Sequence, residues 1–593
     1  NDSFLKAGFH DNAPVDKLLA RPVAPPALVV SALPETARGF INAVRDNGSF
    51  RVAAAEQTLS PNPETAMSHQ SFTNEPPTDF AVTEHRSTMS AALWRTVEQF
   101  GRHAPLVIAG RDVDTAARIE SLNPSHHRQV VGTSAAADVA HVDEAVVAAR
   151  RALPGWARLD VGRRGQYLWA VAERMRTRRF ELAAWIVHES GKGWIEADAD
   201  VAEAIDFCEY YARQAVELLA PRRVAVPGET NQLTRVPRGV AAVIAPWNFP
   251  LAILTGMTVG ALVAGNPVIM KPAEQTPLVA AELMQIFRDV DLPAGVVQYL
   301  PGVGETTGAA LAAHEGVDVI AFTGSRQVGM SLYRQGAEQS GTLRPSVKHV
   351  VAEMGGKNAI IVDADADLDE AVLGVMHSAF GFQGQKCSAC SRAIVLADVY
   401  DRFLERLVEA TRSITVAPAE DPGSVLGPLI DTAAVAKVQR YVEIGKSEAR
   451  LALAGDVGAL ADEGHFVGAH IFADVPPNAV IAREEIFGPV LAVIRAGDLD
   501  DAIAFANASD YALTGGMYSR SPANLERARR ELEVGNLYLN RGVTGALVGR
   551  QPFGGFKLSG VGHKAGGPDY VLQFTHARVV TENTMRRGFA PDE

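Results

Sequence analysis

Hydrophobic residues recur at two different spacings along this chain of 593 residues. Between Val142 and Leu219 they recur every three or four positions, as in RRGQYLWAVAERMRTRRFELAAWIVHES, which predicts amphipathic helices. Short β-branched runs then alternate with helical segments: VAAVIA, PVIMK, VVQYL, VDVIAFTG, HVVAEMG and NAIIVD. That alternation predicts a parallel, doubly wound α/β sheet. A second α/β segment is predicted from about Asp367 to about Phe553.

Three other segments have patterns of their own. Residues 1–80 are irregular and interrupted by prolines, which is typical of a linker or a wrapping arm. The stretch from Gly239 to Met270 carries no charge, but prolines and asparagines interrupt it, so we interpret it as strand, loop, helix and strand rather than a membrane span. PRRVAVPGETNQLTRVPRGV (221–240) predicts a two-stranded hairpin, and HARVVTENT (576–584) predicts a lone β-strand. Both would expose strand edges that need a partner, which predicts a homo-oligomer, at least a dimer.

Composition excludes several classes of function. A net charge of −13 without a Lys/Arg block argues against nucleic-acid binding. Three cysteines cannot form a disulfide framework, which favours a reducing compartment and predicts a cytoplasmic protein. The first residue is Asn rather than Met and no signal segment follows it, so we expect a piece of a longer protein.

Two of the cysteines, Cys387 and Cys390, lie three positions apart in GQKCSACSRA. They could be metal ligands, a redox pair, a disulfide, or one nucleophile with a bystander. A structural zinc site needs four ligands, the only other cysteine is Cys208, and the histidines are scattered, so we expect no metal. Cys208 and Cys390 fit buried packing, as free cysteine usually does. A nucleophilic Cys387 would require an oxyanion donor, a base and a hydride acceptor from elsewhere in the chain.

Seven stretches supply those parts: APWNFP (245–250), KPAE (271–274), FTGSRQVG (322–329), EMGGKN (353–358), GQKC (384–387), EEIFGP (484–489) and PFGGFKLSG (552–560). Together they resemble the aldehyde dehydrogenase superfamily over roughly residues 75 to 580. The resemblance implies an α/β fold with a Rossmann-like NAD-binding domain (81–354) that carries an oligomerisation hairpin (221–240). A catalytic α/β domain (355–560) and a carboxyl-terminal oligomerisation strand and tail (561–593) would follow.

The resemblance also implies roles for single residues. It makes Cys387 the nucleophile, Asn248 an oxyanion donor and Glu353 the general base. Seen alone, Asn248 could be a turn residue and Glu353 could belong to a structural ion pair. The implied cofactor is NAD, with contacts from Lys271, Glu274, Glu485 and Phe487 and with Gly324, Ser325 and Gly329 beside the pyrophosphate.

The chemistry is consistent with these roles. A cysteine thiolate is a good nucleophile for an aldehyde, and we expect Lys386 and nearby helix N-termini to lower the pKa of Cys387. Glu274 would accept hydrogen bonds from a ribose 2′-hydroxyl and repel a 2′-phosphate, which favours NAD over NADP. GVGETTG (302–308) nearly fits a dinucleotide-binding fingerprint but is weak as a lone motif. Arg326 and Gln327 occupy positions where many family members carry Thr and Glu. The resemblance therefore implies no cofactor contact for these two side chains.

Within the superfamily, GQKCSACSR, TGALVGRQPFGGFKLSG and HKAGGPDY resemble the Δ1-pyrroline-5-carboxylate dehydrogenases. This implies NAD-dependent oxidation of L-glutamate γ-semialdehyde to glutamate in proline catabolism. Ser388, Gly545 and Ala546 would hold the α-carboxylate of the substrate, and Phe553 would pack on its methylenes. The alternatives are another semialdehyde or a general aldehyde as substrate, or a non-catalytic scaffold.

The amino terminus carries a further resemblance. NDSFLKAGF and KLLARPVAPP resemble the segment after the proline dehydrogenase barrel in bifunctional proline utilization A enzymes, and NEPPTDF resembles the lead-in to their aldehyde dehydrogenase half. This implies the carboxyl-terminal part of such an enzyme, with a proline dehydrogenase domain or partner outside the chain and no further domain after ARVVTENT.

Overall fold

The computed structural model describes residues 71–338 and 347–585. These residues lie within one compact unit of the chain. Most of the predicted linker or wrapping arm lies outside the described residues, and so do NDSFLKAGF and KLLARPVAPP.

The described strands are short, and most belong to two large sheets. In chain order they are β1 (Arg102–Ala104), β2 (Leu106–Ile108), β3 (Arg111–Val113), β4 (Arg118–Asn123), β5 (His126–Ala135), β6 (Arg222–Val226), β7 (Glu229–Pro237), β8 (Ala241–Ile244), β9 (Val268–Lys271), β10 (Val297–Tyr299), β11 (Val319–Thr323), β12 (His349–Glu353), β13 (Asn358–Val362), β14 (Cys390–Leu396), β15 (Arg450–Ala454), β16 (His470–Ala473), β17 (Val490–Ala496), β18 (Tyr511–Ala512), β19 (Thr514–Tyr518), β20 (Asn536–Leu539), β21 (Phe556–Lys557), β22 (Gly560–Val561) and β23 (Thr575–Asn583).

The first described α-helix precedes β1 and the others lie between strands, as expected for an α/β protein. They are α1 (Thr83–Val97), α2 (Val139–Arg158), α3 (Val161–Thr177), α4 (Arg179–Ser190), α5 (Trp194–Leu218), α6 (Ala252–Val263), α7 (Pro277–Asp289), α8 (Ala309–Ala313), α9 (Arg326–Glu338), α10 (Leu368–Phe380), α11 (Ala397–Arg412), α12 (Thr432–Glu448), α13 (Leu460–Glu463), α14 (Val480–Arg483), α15 (Leu499–Asn507) and α16 (Pro522–Glu531). Helices α2 to α5 confirm the helical pattern predicted between Val142 and Leu219.

The first large sheet has the order β22-β12-β11-β8-β9-β10-β2-β3. Its five inner strands, β12 to β10 in that order, are parallel, and the pairings of β22, β2 and β3 are antiparallel. These parallel strands are almost entirely buried because helices cover both of their faces. The sheet confirms the prediction of a doubly wound α/β fold.

The second large sheet has the order β15-β16-β17-β14-β13-β19-β20 and is parallel except at β15. It begins at Asn358, so the run NAIIVD lies inside this sheet as β13, and the predicted start near Asp367 is too late. The physical reason is that β13 is buried on both faces, and such a strand has the same continuous apolar pattern as the strands of the first sheet.

A separate three-stranded sheet contains β6, β7 and β23. The predicted hairpin is present as β6 and β7. The prediction of a lone carboxyl-terminal strand is wrong, because β23 pairs antiparallel with β7 of the same chain over all nine of its residues, from Thr575 opposite Pro237 to Asn583 opposite Glu229. The outer edges of this sheet are those of β6 and β23, and both strands are exposed.

The uncharged stretch from Gly239 to Met270 folds as interpreted, into β8, a loop, α6 and β9. All but one of the residues of α6 are buried against the helices and strands of the main core. In the part of the chain that the structure describes, no helix combines the length and the apolar character that crossing a membrane requires.

Candidate active site

The carboxyl ends of four neighbouring parallel strands carry most of the residues singled out in the sequence. β12 ends at Glu353, β9 ends at Lys271, β8 leads into the loop with Asn248, and β11 leads into Gly324. In open α/β sheets, ligands bind in the crevice outside these carboxyl ends. The topology therefore gathers the candidate base, oxyanion donor and cofactor contacts along one edge.

Cys387 comes to this edge from the second sheet, in the turn just before β14. The Asn248 side chain is buried, and its Nδ2 donates a hydrogen bond to the backbone carbonyl of Gln385 at 3.0 Å. This contact places the predicted oxyanion donor against the loop of the predicted nucleophile. An amide nitrogen carries two hydrogens, so the second N–H of Asn248 remains for a ligand.

The loop before Cys387 has an unusual backbone. Phe382, Gln383 and Gly384 follow one another with φ of 47°, 56° and 70°. A Cβ at position 384 would lie 2.5 Å from the carbonyl oxygen of Gly488, so the turn requires glycine there. Non-glycine residues in this region cost free energy and cluster at functional sites.

Other contacts hold the loop on its far side. Asn358 Nδ2 donates to the carbonyls of Cys387 and Ala389, both at 2.8 Å. Gln385 Oε1 accepts a hydrogen bond from the amide of Ile430 at 3.0 Å. The nucleophile loop is therefore fixed by hydrogen bonds to its own backbone and to a neighbouring segment.

The electrostatics around Cys387 differ from our expectation. Burial, together with the negative charges of Glu353 and Glu485, raises the pKa of the half-buried Cys387 thiol well above its usual range. The prediction that Lys386 lowers this pKa is wrong, because its ammonium points to Glu196, with Nζ 2.6 Å from Oε1. A thiol with a raised pKa needs an acceptor for its proton before the sulfur can attack.

Glu353 is the predicted base. Burial raises the pKa of its carboxyl to about 7, and the positive charge of Lys564 opposes that rise. β22 pairs with the end of β12, Gly560 opposite Glu353, which brings the segment with Lys564 to this position. A carboxyl with a pKa near neutrality suits proton transfer at physiological pH.

On the cofactor side, Glu274 joins two segments. One of its oxygens accepts from Lys271 Nζ at 3.1 Å and also from the amide of Gly304. Gly304 begins a π-helical turn, Gly304–Gly308, within the GVGETTG stretch. GVGETTG was a weak motif when considered alone. In the structure, its residue Gly304 contacts Glu274 of the KPAE motif through this hydrogen bond.

The glycine-rich GSRQVG segment opens α9. Ser325 Oγ accepts a hydrogen bond from the amide of Val328 at 3.3 Å, which caps the helix. Gly329 is buried, and a Cβ there would lie 2.7 Å from the sulfur of Met354. The glycine thus permits close packing beside Glu353, and its predicted cofactor contact stays a prediction.

Arg326 and Gln327 differ in their surroundings. Arg326 Nη1 pairs with Asp510 Oδ2 at 3.1 Å, and its guanidinium lies over the ring of Tyr511. Gln327 is exposed. Arg326 therefore connects the start of α9 with the start of β18.

Glu485 and Phe487 lie in the loop before β17. Glu485 Oε1 accepts a hydrogen bond at 2.9 Å from the amide of Gly356, three residues after Glu353 in the sequence. Phe487 has φ of 59° and packs edge-on against Trp247, with ring centroids 5.6 Å apart. Both residues thus reach the edge that holds Glu353 and Asn248.

The predicted substrate residues contact other parts of the chain. Ser388 is buried, and its carbonyl accepts from Thr514 Oγ1 at 3.2 Å. Gly545 is exposed with φ of 75°, and a Cβ there would meet nothing within 4 Å. Phe553 pairs with Ala565 through two backbone hydrogen bonds of 2.8 Å. Among the described residues, no hydrogen bond joins Ser388 to Gly545 or Ala546.

Helix α5, together with Lys192 just before it, contributes a set of charged side chains that the sequence analysis did not identify. Lys192, Glu196, Asp200 and Glu203 recur at three- or four-residue spacing toward the nucleophile loop. Burial and the charge of Asp200 raise the pKa of Glu203 to about 8, and its charge acts on Cys387. The spacing of Glu196, Asp200 and Glu203 on one face of α5, with Lys192 one turn before Glu196, was the signal that could have revealed this group.

A family model described as "Aldehyde dehydrogenase family" matches residues 112–580. The chain belongs to the aldehyde dehydrogenase family. The predicted family resemblance is thereby confirmed.

No group of three or more His, Cys, Asp or Glu side chains that could hold a metal occurs in residues 71–338 and 347–585.

One relative and two solved structures are similar to this chain over most or all of its length. A 1-pyrroline-5-carboxylate dehydrogenase of Geobacillus thermodenitrificans is 48% identical over 515 residues, which cover 86% of this chain and 99% of that protein. The structure of a Thermus 1-pyrroline-5-carboxylate dehydrogenase with bound NAD aligns with a TM-score of 0.84 at 49% identity, covering 87% of this chain and 99% of that one. Proline utilization A from Bdellovibrio bacteriovorus aligns with a TM-score of 0.86 at 45% identity; it covers 100% of this chain, which spans 58% of its length.

Proposed function

We propose that this aldehyde dehydrogenase oxidises L-glutamate γ-semialdehyde to L-glutamate with NAD in proline catabolism. The observation that carries the proposal is the meeting of Cys387, Asn248 and Glu353 at the carboxyl ends of the parallel strands. Relatives that match this chain over 99% of their own length at 48–49% identity are named 1-pyrroline-5-carboxylate dehydrogenases, and one of their structures holds NAD.

The residues at the sheet edge fit NAD. Glu274 provides a carboxylate for a ribose hydroxyl, and α9 presents a serine-capped N-terminus of a 13-residue helix to a pyrophosphate. Glu485 and Phe487 would contact the part of the cofactor that lies closest to Cys387. NAD, when bound, accepts the hydride that leaves the aldehyde carbon after cysteine addition.

The chain's own residues perform the remaining steps. Glu353 accepts the Cys387 proton, and the sulfur forms a bond to the aldehyde carbon while the carbonyl oxygen becomes an oxyanion. The free N–H of Asn248 and the backbone N–H of Cys387 stabilise that charge, and removing one such donor typically costs about 3–4 kcal/mol. Once hydride loss has left a thioester and Glu353 has released the Cys387 proton to solvent, Glu353 takes a proton from water and the water oxygen bonds to the acyl carbon. The C–S bond then breaks with its electron pair on sulfur, which returns the Cys387 thiolate.

Substrate choice rests on the segments around Ser388 and Gly545. A hydroxyl and two backbone N–H groups would hold the α-carboxylate of the amino acid without a buried counter-charge. The ring of Phe553 would pack on the methylenes. Ser388 directly follows the nucleophile, so one turn would fix both ends of a five-carbon substrate.

The wider setting is also a proposal. The alignment with proline utilization A over the whole of this chain supports a proline dehydrogenase domain or partner that delivers the substrate. The exposed outer edges of β6 and β23 support a homo-oligomer. All three cysteines are unpaired, which supports a cytoplasmic location.

The function is tested by comparing two cysteine variants. Cys387→Ala should abolish aldehyde oxidation and leave NAD binding near normal. Cys390→Ala should stay largely active, because Cys390 is buried in β14, where its thiol donates to the carbonyl of Arg392. A panel of aldehydes should show the highest kcat/KM for glutamate semialdehyde. Equal losses in both variants, or a preference for an uncharged aldehyde, would contradict the proposal.

A further inference from the structure

An ion pair that is entirely shielded from solvent lies behind the nucleophile loop. Lys192, just before α5, and Asp200, in α5, have fully buried side chains, and Lys192 Nζ lies 2.8 Å from Asp200 Oδ2. Removing two charges from water is costly, and a buried pair is often no more stable than apolar residues of similar size. Stability alone is therefore a weak reason for the pair.

The contacts of the Lys192 ammonium point to another role. Nζ lies 3.5 Å from the ring centroid of Phe249 and 5.0 Å from that of Phe382. Phe249 directly follows Asn248, and Phe382 begins the left-handed turn before Cys387. One cation thus contacts both loops of the candidate active site, and a desolvated cation over an aromatic ring is a favourable contact.

Asp200 extends the connection on the same side. Its second oxygen, Oδ1, accepts a hydrogen bond from the amide of Ala252 at 2.7 Å, at the first residue of α6. The short loop with Asn248 is thereby fixed where it enters the helix. One turn earlier in α5, Glu196 binds Lys386, the residue before Cys387.

We infer that Lys192 is a positioning residue, which holds the Asn248 loop and the Cys387 turn at the separation needed for attack on the aldehyde. The inference rests on the roles proposed above for Asn248 and Cys387. Lys192 touches neither of those residues in a hydrogen bond; it acts through Phe249, Phe382 and Asp200. A misplacement of about 1 Å between reacting groups can lower a rate about 100-fold.

The test is Lys192→Met, which keeps the length of the side chain and removes the cation. We expect kcat to fall about 100-fold while the NAD dissociation constant stays within about twofold, because Lys192 lies apart from Glu274 and Ser325. If the single variant does not fold, Lys192→Met/Asp200→Asn serves instead, since it leaves no unpaired buried charge and keeps the Oδ1 acceptor for Ala252.

A matched control comes from α4 and α5, the helices on either side of Lys192. Arg179 and Asp198 also form a largely buried pair, with Nε 2.7 Å from Oδ1, but Asp198 faces Thr78 of the amino-terminal lead-in. Arg179→Met should lower the melting temperature and leave kcat unchanged. A purely structural role for Lys192 would give the two variants the same behaviour.

A double-mutant cycle separates this inference from the proposed function. Because Lys192 positions the Asn248 loop as well as the Cys387 turn, Lys192→Met should cost clearly less in single-turnover rate in an Asn248→Ala background than in the parent. A folded variant with kcat within about threefold of the parent, or an equal loss in both backgrounds, would overturn the positioning role. Full activity of Cys387→Ala would instead overturn the proposed function, whatever Lys192 does.

Discussion

Lys564 should set the pH at which the candidate base works. Its ammonium donates hydrogen bonds to the carbonyl of Gly535 and, at 3.0 Å, to Asn536 Oδ1, so its charge is held in place. This charge opposes the effect of burial on Glu353, whose pKa is about 7. Lys564→Met removes the charge and leaves the burial, so the pKa of Glu353 should rise further.

The size of the change follows from elementary electrostatics. Opposite unit charges several ångströms apart near a protein surface attract by roughly 1 kcal/mol or more, which corresponds to about 0.7 pKa unit. Glu353 must be ionised to accept a proton. With a pKa of about 7 roughly half of it is ionised at neutral pH, and after the shift roughly one sixth. Activity at neutral pH should therefore fall about threefold and recover at about pH 9.

The assay is the pH profile of kcat/KM for the aldehyde, complemented by single-turnover release of the acid product. Lys564→Arg keeps the charge and should keep the parent profile. Lys557→Met is the matched control, because Lys557 pairs with Glu533 at 2.8 Å instead. The reasoning is refuted if the acidic limb of Lys564→Met stays in place or moves to lower pH.

Three further outcomes are expected. Ser388→Ala should lower kcat/KM for glutamate semialdehyde roughly 10- to 150-fold and affect an uncharged aldehyde of similar length far less, whereas equal losses would mean that Ser388 positions Cys387. Glu274→Gln should raise the ratio of NADP to NAD efficiency about tenfold or more, because it removes repulsion of the 2′-phosphate and leaves Lys271; an unchanged ratio would contradict the cofactor contact. Light scattering at micromolar concentration should give at least a dimer, and a monomeric mass would contradict the role of the exposed β6 and β23 edges.

Periodicity predicted much of the fold. The runs VAAVIA, PVIMK, VVQYL, VDVIAFTG and HVVAEMG became neighbouring strands of one sheet, since each is a short apolar run bounded by loop residues. Periodicity did not assign NAIIVD to the second sheet, because strands buried on both faces have the same apolar pattern wherever they lie. Nor did it pair β23 with β7, which are over 330 residues apart in sequence. Pairing between distant strands depends on topology rather than on local pattern.

The identity of the reacting groups was accessible from short motifs, but their electrostatics were not. Lys386 precedes Cys387 in sequence, and adjacency suggested a cation beside the thiol. In the fold, the Lys386 side chain leaves the loop toward Glu196, and carboxylates surround the thiol instead. Neighbouring residues in a turn point in different directions, so the charge that a side chain experiences comes from whatever the fold packs against it.

The acidic residues of helix α5 also depend on what the fold packs against them. Its pattern fits an amphipathic core helix, yet its acidic residues Glu196, Asp200 and Glu203 face the catalytic loops rather than solvent. Burying a carboxylate is costly unless a cation or an amide matches it. Asp200 is matched by Lys192 and Ala252, and Glu196 by Lys386. Because those partners lie in or against the loops of Asn248 and Cys387, the cost of burying the carboxylates is offset where the geometry of the reaction is set.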